Sequence, residues 1–193
     1  MIIYLTKQTA ERYKIKMPDE LSSPVKEMVH TVIEREHGSK LFEWGAKLFY
    51  FDRKKCIQLV HFESKLTLFL FDIKVKDIEK LGEWLTHYLF ALYSDNKPMT
   101  KRIEKYIEES AFVCFSALKD KSILATLNYT QRTFAEDGYY FYDFIEEGIL
   151  KTIEINQRVN FKWLFSKKEG KQTDYFYSGE KFEEVLIDRY GSI

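Results

Sequence analysis

Residues 41–71, LFEWGAKLFYFDRKKCIQLVHFESKLTLFLF, hold this chain to a narrow set of folds. They read as three consecutive strands at about 46–51, 56–62 and 66–72, because aromatic and branched residues fill the runs and charge gathers between them, at Asp52-Arg53-Lys54-Lys55 and Glu63-Ser64-Lys65. With those segments as loops, Phe51 lies opposite Cys56, Tyr50 opposite Ile57 and Leu48 opposite Leu59, while Leu59 also faces Leu70 and His61 faces Leu68. One face then carries Leu48, Tyr50, Ile57, Leu59, His61, Leu68 and Leu70. The other carries Lys47, Phe49, Phe51, Cys56, Gln58, Val60, Phe62, Thr67, Phe69 and Phe71. A sheet with one wet face alternates apolar and polar residues, and this one hardly does, so both faces are expected to be covered.

Around the meander, Ile2-Ile3-Tyr4-Leu5 reads as a short strand and Thr6 as the cap of a helix running to about Ile15. Ser23-Pro24 signals a cap followed by proline at the first helical position. Val25, Met28, Val29, Val32 and Ile33 then repeat as one buried stripe until Gly38. A helix over about 77–93 presents Ile78, Leu81, Leu85, Tyr88, Leu89 and Leu92 and breaks at Pro98; a charged helix follows at 101–110. AFVCFSAL (111–118) is strand-prone, and Asp120 caps a helix carrying Ile123, Leu124 and Leu127. Asp137-Gly138 marks a turn, and 139–145 fits strand or helix. An alternating strand at 160–166, a KKEGK turn and a strand near Tyr175 come next. The chain ends in a helix from about Gly179, capped by Ser178, with a Phe182/Leu186/Tyr190 stripe that stops at Gly191.

The expected fold is α+β, with a mainly antiparallel sheet built on the 46–72 meander, joined by strands near 2–5 and 111–118, flanked by helices, and completed by a C-terminal strand–strand–helix appendix. At 193 residues and 45% hydrophobic, the chain is expected to form one domain, 1–193, with a core at 1–150. The extension at 151–193 should pack on that core, over the face of Phe49, Phe51, Phe69 and Phe71. If that face were bare it would exceed what a monomer usually exposes and would mark a partner surface.

Lys+Arg and Asp+Glu both number 30, so no global field draws the protein to nucleic acid or to an anionic membrane. Cys56 and Cys114 sit in apolar runs and read as buried free thiols of a reducing compartment. The start MIIYLTKQTAERYK lacks a basic segment followed by a long apolar one, and no apolar run approaches a membrane span. A cytoplasmic location without membrane association is expected.

Several of these segments together resemble a known family. They are the early strand followed by Thr6-Lys7, the Trp44-x-Ala46 start of the meander, the basic Arg53-Lys54 turn with the helix after it, and Lys119-Asp120-Lys121-Ser122-Ile123-Leu124 with Leu127-Asn128. The resemblance is to small bacterial domains of domain-of-unknown-function family 6933, and it covers roughly residues 1 to 130. Two departures stand out: the helix at 22–38 looks inserted, and His61 stands where an Asn is expected at the end of the second strand. The resemblance supports the fold and implies no activity.

Residue chemistry names no reaction. There is no Gly-x-Ser-x-Gly, no phosphate-cradling glycine loop and no Cys-x-x-Cys, so no catalytic residue, metal ligand or cofactor is assigned and the chain leans away from an enzyme. His30 and His37 share one helix with Glu34 between them, a spacing poor for zinc; a solvated face explains them, with His37 well placed near the helix C-terminus. His61 projects onto an apolar face and needs a partner, either as a satisfied core histidine or as part of an end-of-sheet ligand site with Arg53 and Lys119. Basic residues interleaved with Phe161, Trp163 and Phe165 over 151–171 suggest single-strand nucleic-acid binding through Lys162, Trp163 and Lys167, against the simpler reading of a half-buried strand. The leading expectation is a non-enzymatic interaction or accessory protein acting through Phe49, Phe51, Phe69 and Phe71, as a homodimer or with a protein partner. A small-ligand binder or enzyme near His61 comes second, and nucleic-acid binding third.

Overall fold

The computed structural model describes residues 1–110, 112–136, 140–169 and 172–191. Among them, five strands form the main sheet in the order β4-β3-β2-β1-β5. These are β1 (Ile2–Leu5), β2 (Glu43–Phe51), β3 (Lys54–His61), β4 (Thr67–Leu70) and β5 (Cys114–Ala117). The meander is antiparallel as expected, but β1 runs parallel to both β2 and β5, so the sheet is mixed. A strand buried on both faces has no polar positions to spare, and all four residues of β1 are buried.

Asp52 and Arg53 alone make the first turn, both at positive φ (46° and 62°), which is the two-residue hairpin geometry that matches strand twist. Phe51 therefore pairs with Lys54, Phe49 with Cys56 and Leu48 with Ile57; across the second turn Ile57 pairs with Leu70 and Leu59 with Leu68. Each pairing differs from the expected register by two residues. Side chains alternate with period two, so such a slip leaves every residue on its expected face.

Both faces are covered. On one, Trp44, Leu48, Ile57, Leu59, Leu68 and Leu70 meet α3 (Leu81–Leu92), α4 (Lys97–Ser110) and α7 (Ser178–Tyr190). Pro98 opens α4 instead of only ending what precedes it: it sits in the first turn, where its missing N–H is tolerated, and Asn96 Oδ1 accepts from Met99 N–H at 3.1 Å. The other face is divided. Ile2, Tyr4 and Cys114 pack with Val29 and Val32 of α2 (Ser23–Glu36), which follows α1 (Lys7–Tyr13). Only the C-terminal half of α2 meets the sheet, so Val25 and Met28 of the expected stripe stay exposed. Val60 packs with Ile123 and Leu127 of α5 (Lys121–Gln131), whose Asp120 cap accepts from Ile123 N–H at 2.8 Å. A Cβ at position 45 would collide with Ile123, so glycine there lets α5 lie on β2.

Phe49 and Phe69 are buried beneath Phe134, Phe141, Ile155, Val159 and Phe165, with Phe51 and Phe71 partly covered at the rim. Phe141 alone touches all four phenylalanine rings at centroid distances of 5.1 to 6.0 Å. The covering segment holds the short hairpin β6 (Ile145–Glu146) and β7 (Ile149–Leu150), then α6 (Thr152–Phe161), β8 (Leu164–Glu169) and β9 (Gln172–Tyr177).

The expected strand at 160–166 is thus partly helix. Asn156 and Asn160 of α6 supply the reason. Asn156 accepts from Phe69 N–H (2.7 Å) and donates to Phe69 C=O (3.1 Å); Asn160 accepts from Thr67 N–H (2.8 Å) and donates to Thr67 C=O (2.7 Å). Four helical residues rise ~6 Å and two strand residues ~6.8 Å, so carboxamides one helical turn apart match alternate residues of the β4 edge. They close an edge that would otherwise offer unpaired backbone to another chain. Ser178 donates to Asn160 Oδ1 at 2.8 Å, so its hydroxyl serves this clasp and is not the α7 cap; Gly191 does end α7. The Asp137-Gly138 turn and Gly170-Lys171 of the KKEGK turn lie outside the described residues. No described helix is long and apolar enough to cross a membrane.

Candidate functional site

His61 is fully buried and satisfied on both ring nitrogens: Nε2 lies 2.8 Å from the Leu41 carbonyl and Nδ1 2.9 Å from Ser64 Oγ. A carbonyl only accepts, so Nε2 carries the hydrogen and Nδ1 accepts from the serine. The same carbonyl takes the Tyr106 hydroxyl (3.0 Å), which in turn accepts from Trp44 Nε1 (2.9 Å). Burial pushes the His61 pKa down to about 4, with the nearby Lys65 charge adding to the fall. Arg53 sits in the turn at the opposite end of β3, over ~20 Å of strand from His61, so the fold does not bring the two together.

Lys119 does reach a site, on the other side of the sheet from His61. Glu43, Tyr4, Phe62 and Ser116 share one face, because Glu43 pairs with Ile2 and Ser116 with Tyr4. Over them the end of α2 contributes Ile33 and His37, the following loop contributes Gly38 and Lys40, and the approach to α5 contributes Lys119 and Asp120. They enclose a cleft of about 490 Å³ in which the apolar side chains of Ile33, Phe62 and Ala117 stand among polar and charged ones.

Its organising group is the Glu43 carboxylate, only 1% exposed. Oε1 accepts from Tyr4 OH at 2.8 Å; Oε2 accepts from the backbone N–H groups of Gly38 (3.0 Å) and Lys40 (2.8 Å). Both donors come from a loop in left-handed backbone, φ 84° at Gly38 and 61° at Lys40, which turns the amides inward. His37 completes the shell, with Nδ1 2.8 Å from Tyr4 OH and 3.3 Å from Glu43 Oε1. Burial and the adjacent carboxylate hold the Tyr4 pKa far above the usual tyrosine range, so its hydroxyl stays a donor. The Tyr4 and Phe62 rings lie 5.2 Å apart. This arrangement suits a small ligand that meets cations at Lys119 and Lys40, an imidazole at His37 and an apolar wall.

Tyr4 lies 33 residues from His37 and 39 from Glu43, and the three match no spacing motif, so sequence reasoning missed them as a group. The one available signal was Glu43 at the start of a run whose neighbours are all apolar, since a carboxylate there must find donors.

Two of the three nucleic-acid candidates, Lys162 and Trp163, line a second hollow, about 810 Å³, together with Tyr140, Phe144, Arg158 and Phe161 among others. Phe161 ends α6 and Trp163 precedes β8, so the expected single-face alternation with Phe165 does not exist. Trp163 instead packs edge-on against Phe134 at 5.0 Å. Lys167 belongs to β8, with its side chain outside the described residues. Cys56 and Cys114 are free and buried, their thiol pKa values raised to about 11 by burial. No group of three His, Cys, Asp or Glu side chains able to hold a metal gathers among the described residues.

Residues 2–181 match the model of a family described as a domain of unknown function, DUF6933. That span continues past 130 through the Asn clasp and into α7. A comparison with curated proteins found no match.

Proposed function

The chain belongs to the DUF6933 family, and on that premise we propose that it binds a small anionic ligand in the cleft between the end of α2, β1, β5 and the start of α5. One observation carries this reading: a buried carboxylate, satisfied by Tyr4, Gly38, Lys40 and His37, is used to orient an imidazole on the wall of an open cleft. The interaction reading, by contrast, loses the support of a bare aromatic face, since Phe49 and Phe69 are covered by the chain itself. Lys119 is retained from the end-of-sheet reading, with His37 taking the place of His61.

Titration with inorganic phosphate and with small carboxylates, followed by amide NMR, is expected to shift Gly38, Lys40, Phe62 and Lys119 first. The shifts should vanish in Lys119→Glu. Anions that leave these residues unmoved, or move them equally in the variant, overturn the reading.

A second reading, single-strand nucleic-acid binding at the 810 Å³ hollow, is favoured by the Arg158 guanidinium lying 5.9 Å from the Phe144 ring centroid beside Lys162. It predicts retention on single-stranded DNA at low salt that falls steeply as salt rises and is lost in Lys162→Glu.

A further inference from the structure

We infer that His37 is held with its hydrogen on Nδ1 and serves the cleft as a proton acceptor through Nε2, with Tyr4 and Glu43 as its positioning residues. This rests on the cleft being a ligand site, and it gives the ligand a class: a small anion that also presents an O–H or N–H donor.

The argument is a count of hydrogens. The Tyr4 hydroxyl has one, and the Glu43 carboxylate, which can only accept, takes it at 2.8 Å. The Tyr4 oxygen can then only accept from His37 Nδ1 at 2.8 Å, and Glu43 Oε1 lies 3.3 Å from the same nitrogen. Were the imidazole hydrogen on Nε2 instead, the Nδ1 lone pair would face both oxygens. The single tyrosine proton could then serve only one contact, and either the carboxylate or the imidazole would lose a strong hydrogen bond. Glu43 Oε2 offers no escape, since Gly38 and Lys40 already occupy it.

In the neutral ring Nε2 is therefore the acceptor. It has no partner among the hydrogen bonds of the described residues, and His37 lines the cleft with its side chain 70% exposed. Taking a proton there demands no rearrangement: Nδ1–H is already placed, and the new charge falls beside Glu43. The other charges at the cleft are Lys40 and Lys119, which favour an anionic ligand, and Asp120, engaged as the α5 cap.

His61 is the internal control, since its partners put the hydrogen on Nε2. Long-range ¹H–¹⁵N NMR of the wild-type imidazole rings needs no variant. At a pH where His37 is neutral it should show Nδ1–H for His37 and Nε2–H for His61. Diethyl pyrocarbonate, mapped by peptide mass, should modify His37 several-fold faster than the other surface histidines, His30 and His87. That excess should disappear in Tyr4→Phe. A hydrogen on His37 Nε2, or modification no faster than at His87, overturns the inference. Failure of the anion titrations alone would overturn the ligand reading and leave this tautomer assignment standing.

Discussion

Two histidines at the same end of the sheet, on opposite faces, divide the labour of this molecule. His61 sits behind the sheet with Nε2 on Leu41 C=O and Nδ1 on Ser64 Oγ, packed 5.0 Å from both Trp44 and Phe182. His37 sits in front of it with one nitrogen tied to Tyr4 and Glu43 and the other facing a cleft. The lesson is that a buried polar ring with both nitrogens satisfied is a structural part, whereas an anchored ring with one nitrogen free is equipped for chemistry.

The sharpest way to break the comparison is substitution at the buried member. His61→Ala opens a cavity between Trp44 and Phe182 and strips the Ser64 hydroxyl of the nitrogen it donates to. It should destabilise the fold by about 3–5 kcal/mol, read as a lowered midpoint in urea. An effect below about 1 kcal/mol would mean that His61 is not the structural one.

Next in size is the response to acid. The His61 pKa is about 4 folded against 6.5 for the ordinary side chain, so below pH 6.5 the unfolded chain binds a proton that the folded chain refuses. Stability should therefore fall as pH drops from 6.5 towards 4, by up to about 3 kcal/mol from this residue. Urea midpoints across that window measure the loss. His61→Asn, which places there the residue that the family resemblance leads one to expect, should flatten it, and an unchanged slope in that variant would assign the acid sensitivity elsewhere.

The smallest stability effect belongs to the exposed member. His37→Ala should change stability by less than about 1 kcal/mol, because a mostly exposed side chain gains little from its contacts. The same variant should abolish selective recognition in the cleft, judged by amide shifts at Gly38 and Phe62 on anion titration. A loss of stability matching that of His61→Ala would erase the distinction between the two rings.

How much of this was legible in the sequence depended on whether the governing pattern was local. The meander faces came out correctly although both registers were off by two residues, because an error of two residues cannot move a side chain across a sheet. The turn itself was illegible: Asp52-Arg53 lacks the glycine or asparagine that usually announces positive φ. Phe161, Trp163 and Phe165 imitated a strand, whereas Ile155 with Val159, and Asn156 with Asn160, carried the helical spacing. The site was least legible. Lys119 was singled out, but His37 looked like a solvated helix end until Glu43 and Tyr4 were placed beside it.

Alternating apolar residues, helix caps at Thr6 and Asp120 and an unbroken apolar start were enough, by themselves, to determine the strands of the main sheet, the helices that those two residues cap and a sheet covered on both faces, since each of these follows from neighbours in the chain. Only the tertiary structure decided that β1 runs parallel between β2 and β5, that two asparagines close the β4 edge, and which histidine keeps a free nitrogen. Those outcomes depend on hydrogen-bonding groups from distant segments meeting in space, and no periodicity along the chain encodes which donor will find which acceptor.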